Sequence, residues 1–240
     1  MKKLKCMLGA IVLMFVGLSN AQSALLSDLL SGGSIASGGL LFDNWSNSFY
    51  DSGDGRTFDP LNINVTALAD NGTNGAGILF TILNNEMSVT GNNSYNYVDL
   101  TLGFNVSTID PGMGLIGNTL SYPISGATTL HQGDPFNNLG ASIREKVNNG
   151  GLADGKIEFS MLDNILTSVF PATFAYSAQN SVSIRKNILV WSVDNTDTAT
   201  LTAFEQRFAL EPRNVPEPGI LMLLGIGLAG LIAGRSKVVA

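Results

Sequence analysis

The sequence predicts an all-β protein: a single antiparallel β-sandwich, jelly-roll or immunoglobulin-like, over residues 22–210, flanked by an N-terminal signal helix and a C-terminal transmembrane helix. Three observations carry this. Gly, Asn, Ser and Thr make up 88 of the 240 residues, and these types work against long helices because they cost backbone entropy or compete for backbone hydrogen bonds. Between the two ends, apolar residues recur with period two. Turn-forming clusters separate these segments at short intervals, with no helical pattern alternating between them.

Taken in chain order, residues 24–39 mix Leu25, Leu26, Leu29 and Leu30 with Gly and Ser, a pattern that fits a short helical turn or a strand. Residues 62–67 alternate, and 78–83 are apolar throughout, as in a central strand. The turn sequence at 70–75, with Gly72 and Gly75, suits positive φ and makes the pair a hairpin. Val98, Leu100, Leu102, Phe104 and Val106 line one face of a strand whose other face carries Asp99, Thr101, Gly103 and Asn105. Residues 139–147 are ambiguous, because Ile143 and Val147 have helical spacing. Shorter strands are expected at 156–161 and 173–178. Val182, Ile184, Ile188 and Val190 alternate with polar residues, an apolar face interrupted by Lys186. Phe204, Phe208 and Leu210 form the inner face of the last strand, opposite Glu205 and Arg207. No repeat of fixed period is present, which excludes a solenoid or propeller.

Both ends read as addresses. Lys2, Lys3 and Lys5 precede an apolar run at 6–18, and Ser19 and Ala21 place small residues at the −3 and −1 positions. This pattern is a secretory signal occupying residues 1–21 and cut between Ala21 and Gln22. Cys6 is the one cysteine, so its loss with the signal leaves a chain without disulfide or thiolate chemistry. At the other end, residues 211–218 form a linker in which Pro216 and Pro218 bracket Glu217 and hold an extended peptide. Residues 219–234 contain no charged side chain and would form a helix of about 24 Å, short for a bilayer core. Arg235 and Lys237 follow in a basic tail at 235–240, which stops transfer and leaves the tail in the cytoplasm.

The ordered combination at 215–240 resembles the PEP-CTERM sorting signal of Gram-negative bacteria. The resemblance implies that Pro216, Glu217 and Pro218 are the motif recognised by a membrane-embedded processing enzyme, an exosortase, which removes the tail. Here Arg-Ser-Lys stands where the family often has consecutive arginines. Residues 31–34 with 41–44, and 182–188 through 204–208, also resemble the opening and final strands of proteins bearing this signal. The resemblance implies an exported surface or extracellular-matrix protein, first anchored in the inner membrane and then in contact with exopolysaccharide.

Within the body, composition excludes some classes and leaves others open. Residues 22–214 hold eight Lys/Arg and eighteen Asp/Glu, so a nucleic-acid partner, which needs a clustered basic surface, is excluded. His131 is the only histidine; with Asp134 it lies in a loop-like stretch, without a nucleophile elbow, and reads as a surface-loop residue. Asp51, Asp54 and Asp59, interleaved with glycine, are the candidate metal ligands. Calcium is the cation such oxygens suit, although the spacing is not that of an EF-hand and the simpler reading is a solvated turn. Trp45, Trp191, Tyr50, Tyr95 and Tyr97 are the candidates for stacking on sugar rings, against the alternative that they fill the core. The expected role is therefore non-enzymatic, with a carbohydrate-binding module, calcium-dependent or not, as the alternative. A hydrolase built on scattered carboxylates is the third reading, and it requires a cleft with two acids about 5–10 Å apart.

Overall fold

The computed structural model describes residues 22–121, 138–162, 165–213 and Ile226. A short strand β1 (Ser23–Leu25) leads into one helical turn, α1 (Leu26–Leu30), so the first segment contains both elements its leucines suggested. Fourteen further strands follow among the described residues: β2 (Ile35–Ser37), β3 (Leu40–Ser52), β4 (Ile63–Leu68), β5 (Ala76–Ile82), β6 (Ser88–Thr90), β7 (Asn96–Thr108), β8 (Met113–Ser121), β9 (Asn138–Val147), β10 (Ala153–Leu162), β11 (Ile165–Val169), β12 (Ala172–Gln179), β13 (Ser181–Ser192), β14 (Thr198–Thr200) and β15 (Ala203–Pro212).

They assemble into two antiparallel sheets. One has six strands in the order β1-β4-β5-β15-β8-β12, and the other has seven in the order β11-β10-β9-β13-β7-β3-β2. A two-stranded ribbon of β14 and β6 pairs with neither but packs against β7, β9 and β13. The described residues are thus mostly antiparallel β with little helix, as the alternation predicts. β4 and β5 pair as the expected hairpin, Ile63 opposite Ile82 and Leu68 opposite Gly77. The ambiguous segment is a strand: β9 pairs with β13 from Val147 opposite Ile184 to Leu139 opposite Ser192.

The inner faces meet in one core. Phe80, Phe204 and Phe208 from the six-stranded sheet interlock with Phe42, Trp45 and Phe104 from the seven-stranded sheet, all buried. Trp45 stacks on Phe104 at 4.6 Å, Phe80 stacks on Phe204 at 4.4 Å, and Phe42 meets Phe208 edge-on at 5.9 Å. Such pairs add about 0.5–1.5 kcal/mol beyond the area they bury. At one end of the sandwich, the Phe174 ring from β12 occupies the space a side chain at Gly155 on β10 would need, since a Cβ there would lie 2.1 Å from the ring. Two charged side chains break the pattern. Lys186 on β13 and Glu145 on β9 both point inward and are fully buried.

Among the described residues no helix is long and apolar enough to cross a membrane. The predicted signal at 1–21, the sorting tripeptide Pro216, Glu217 and Pro218, all of 219–234 except Ile226, and Arg235 and Lys237 lie outside the described residues, as does His131.

Candidate functional site

The seven-stranded sheet has one face in the core, so alternation turns the intervening residues of β7, β9, β10 and β13 outward together, and β3 joins them across two register shifts. Register then sets them in rows. Trp191 lies opposite Tyr97, Leu189 opposite Asp99, Asn187 opposite Thr101 and Arg185 opposite Gly103. On the flanking strands, Asp51 lies opposite Asp99, and Arg144 and Lys146 lie beside Asn187 and Arg185. From Arg185 to Trp191 the face extends about 20 Å.

Its first rows are aromatic. Tyr95, half exposed, stacks on Tyr97 with ring centroids 5.6 Å apart. Trp191 stands across the strand boundary, its ring held by a 3.0 Å hydrogen bond from Nε1 to Asn138 Oδ1. The Tyr97 hydroxyl donates to Asp51 Oδ2 at 2.6 Å. That bond, with burial and the charges of Asp51 and Asp99 behind it, raises the Tyr97 pKa above its ordinary value.

The next rows are polar. Asn187 Nδ2 donates to Asp99 Oδ1 at 2.5 Å and reaches Thr101 Oγ1 at 3.3 Å. Partial burial, reinforced by the charge of Asp51, raises the Asp99 pKa, while the Asn187 bond offsets part of the shift. Thr101, Arg144, Lys146, Arg185 and Asn187 surround a depression of about 310 Å³. A second of the same size, between Asn44, Ser46, Gly103, Asn105, Ser183 and Arg185, adjoins it through Arg185. Arg144 is held by Asp154 in a two-pronged pair at 3.0 and 2.9 Å. The face therefore offers flat rings at one end and hydrogen-bonding side chains in a groove along the rest.

The sequence candidates divide on this geometry. Of the five aromatics singled out, Trp45 is core, and Tyr50 packs with its ring stacked on Phe58 at 5.4 Å. Trp191, Tyr95 and Tyr97 share the outer face. Asp51, Asp54 and Asp59 turn to different partners. Asp51 accepts from the Ser52 amide at 2.9 Å and from Tyr97, Asp54 is ion-paired with Arg56, and Asp59 accepts from the Leu61 amide at 3.0 Å. Hydrogen bonding to Arg56 lowers the Asp54 pKa. Among the described residues no group of three or more His, Cys, Asp or Glu side chains gathers in a way that would hold a metal ion. Gln22, which follows the predicted cleavage bond, is exposed. Its backbone carbonyl accepts from the Ala67 amide at 2.7 Å, and its side chain accepts from the Ala36 amide at 2.8 Å. The polar rows went unmarked in the sequence, because Asp99, Thr101, Asn187 and Arg185 are what any solvated strand face would carry. Only the register of β7 with β13 makes them one surface.

Comparison with known proteins gives two kinds of likeness. Residues 214–237 match the family model of the PEP-CTERM protein-sorting motif, so the chain carries that motif at its C-terminal end. No curated protein matches the sequence. Among solved structures, the antiparallel sandwich is similar to TmCBM61 in complex with β-1,4-galactotriose (11% identity, 71% of this chain and 89% of that one, TM-score 0.26). It is also similar to TmCBM27, a carbohydrate-binding module described for specific mannan recognition (9% identity, 78% and 96%, TM-score 0.26). A third is the CBM22-1 xylan-binding domain from Paenibacillus barcinonensis Xyn10C (16% identity, 66% and 85%, TM-score 0.23). These ligands belong to those proteins.

Proposed function

We propose that the chain is an exported surface or extracellular-matrix protein of non-enzymatic role, delivered by its two terminal signals and processed by an exosortase-type enzyme. The match of residues 214–237 to the sorting motif carries this reading. A signal at 1–21, cut between Ala21 and Gln22, starts translocation. Residues 219–234 then hold the chain transiently in the inner membrane, with Arg235 and Lys237 as the stop, and Pro216, Glu217 and Pro218 are presented to the processing enzyme at the outer surface. Substituting all three residues of the tripeptide by alanine should keep the tail on the protein and move it from medium to membrane in the native host. Unchanged release of the variant would overturn the reading.

The face of Tyr95, Tyr97 and Trp191 favours a second, compatible reading: the sandwich binds polysaccharide. Aromatic rings on an outer sheet face match the apolar faces of pyranose rings, while amide, hydroxyl and charged groups beyond them match sugar hydroxyls. The three carboxylates at 51–59 are already engaged, so this binding is proposed to need no calcium. Affinity electrophoresis of the full chain in gels containing exopolysaccharide or plant β-glycans tests it. Trp191→Ala and Tyr97→Ala should each weaken retardation about tenfold, equivalent to about 1.4 kcal/mol. Equal retardation of wild type and both variants would place binding elsewhere.

A further inference from the structure

The two inward-facing charges on β9 and β13 belong to a larger cluster that closes between the sheets. Lys186 and Glu145 are cross-strand partners in the seven-stranded sheet, and Lys186 Nζ donates to Glu145 Oε2. The other oxygen of the same carboxylate, Oε1, accepts from Asn118 Nδ2 at 2.5 Å. Asn118 lies on β8, in the opposite sheet, and is 2% exposed. Gln206 Oε1 on β15 holds the amine from the side at 2.5 Å, and the Phe204 ring lies 5.8 Å from Nζ. Tyr176, half-buried, lies close enough to Glu145 for the carboxylate's charge to help raise its pKa, after burial itself. Asn118 Oδ1 is buried and has no hydrogen-bond partner in this arrangement.

An ion pair here would be a poor device for stability, since desolvating both charges costs about as much as their attraction returns. The parts have the composition of a reaction centre. A primary amine is a nucleophile once neutral, and low-dielectric surroundings favour the neutral form. A carboxamide is an acyl donor. One carboxylate touching both can take a proton from the first and give it to the second, and burial holds the amine and the carboxamide on the two oxygens of that carboxylate. We propose that Lys186 and Asn118 join in an intramolecular amide bond, with Glu145 as the proton shuttle, tying β13 of one sheet to β8 of the other.

The step balances without oxidant or cofactor. Glu145 takes a proton from Lys186, leaving a neutral amine and a protonated carboxyl. Nζ attacks Asn118 Cγ to form the C–N bond. Protons from Nζ pass through Glu145 to the Asn118 nitrogen, the old C–N bond breaks, and ammonia leaves. Gln206 is the other carboxamide within reach of Nζ. However, its Nε2 donates to the Thr119 and Arg207 carbonyls at 3.3 and 3.5 Å, so no carboxylate is placed to protonate that nitrogen as it departs. The bond would give the body, which has no cysteine after Cys6, a covalent link of the kind disulfides supply elsewhere.

Peptide mapping of the denatured full chain tests this. The expected product is a branched fragment joining the segment around residue 118 to that around 186, lighter than its two parts by one ammonia, with tryptic cleavage after Lys186 abolished. The map decides rather than the total mass, because an N-terminal Gln22 also loses ammonia when it cyclises. Lys186→Arg and Glu145→Gln should yield only linear fragments. Asn118→Asp should form the same bond with loss of water, giving a branched fragment of identical mass. Complete cleavage after Lys186 in the wild type, with linear fragments alone, overturns the proposal whether or not the variants fold. A branch to Gln206 overturns the choice of Asn118.

Discussion

Lys186 occupies a position where β13 otherwise places Val182, Ile184, Ile188 and Val190 toward the core, and Glu145 does the same among Leu139, Ala141, Ile143 and Val147 of β9. Each depends on the other for its burial. Glu145→Ala removes the acceptor for both Lys186 and Asn118 and should cost about 3–5 kcal/mol, as for breaking a buried pair from one side. Urea unfolding of the two proteins measures it, and a loss under 1 kcal/mol would mean the cluster is relaxed by water. On the outer face, Asp99 presents the opposite case. Its pKa is raised by burial and by Asp51, so the native state holds this proton more tightly than the unfolded chain does. Its charge then costs stability at neutral pH, and the cost fades as pH falls through the raised pKa toward the ordinary value of 3.8. Asp99→Asn keeps the acceptor for Asn187 and should stabilise the protein at pH 7 by up to about 1 kcal/mol, with the difference vanishing near pH 3. Thermal melts across that range check the sign. Lys186 is legible in the sequence as a gap in an apolar face. Its direction is not, because alternation assigns polar residues outward unless a partner on another strand, here forty-one residues away, is known.

At the scale of elements, local pattern and tertiary pairing agree where strands are regular. β7 shows in the sequence as unbroken alternation and β13 as alternation interrupted at Lys186, and they are neighbours in register from Val106 opposite Val182 to Asn96 opposite Ser192. β3 is hidden because its register with β7 slips twice, after Asp43 and after Asn47. Asn44, at φ 52°, absorbs part of the bend, and the apolar face passes from Leu40 and Phe42 to Trp45 out of phase. β8 is hidden for another reason: Gly114, Gly117, Asn118 and Thr119 lower its apolar signal, while the contacts that bury them come from β15 and β12. The hairpin of β4 and β5 was readable from its turn, and Gly75 shows why glycine closes it. Its φ is +79°, and a Cβ there would meet the Phe208 carbonyl oxygen at 1.9 Å. Gly75→Ala should destabilise the domain by about 1–3 kcal/mol, seen as a lower denaturation midpoint with an unchanged slope. An unchanged midpoint would show that the turn relaxes without moving β15.

For the whole molecule, the two kinds of information came from different parts of the chain. The sorting motif is legible in sequence because it is linear: a tripeptide, an apolar stretch and a basic tail in fixed order. The sandwich's outer face is legible only after folding, since Tyr97, Asp51, Asn187 and Trp191 come from three strands and gain meaning from register. These levels make independent commitments. Loss of glycan retardation in Trp191→Ala would bear on the sandwich and leave sorting untouched, whereas a tail retained in every compartment would bear on sorting alone. The most direct test of the central claim is mass spectrometry of both chain termini, on protein recovered separately from the membrane and the medium of the native host. The account predicts a chain in the medium that begins at Gln22 and ends near Pro216, Glu217 and Pro218. A C-terminus at Ala240 in both fractions would contradict it.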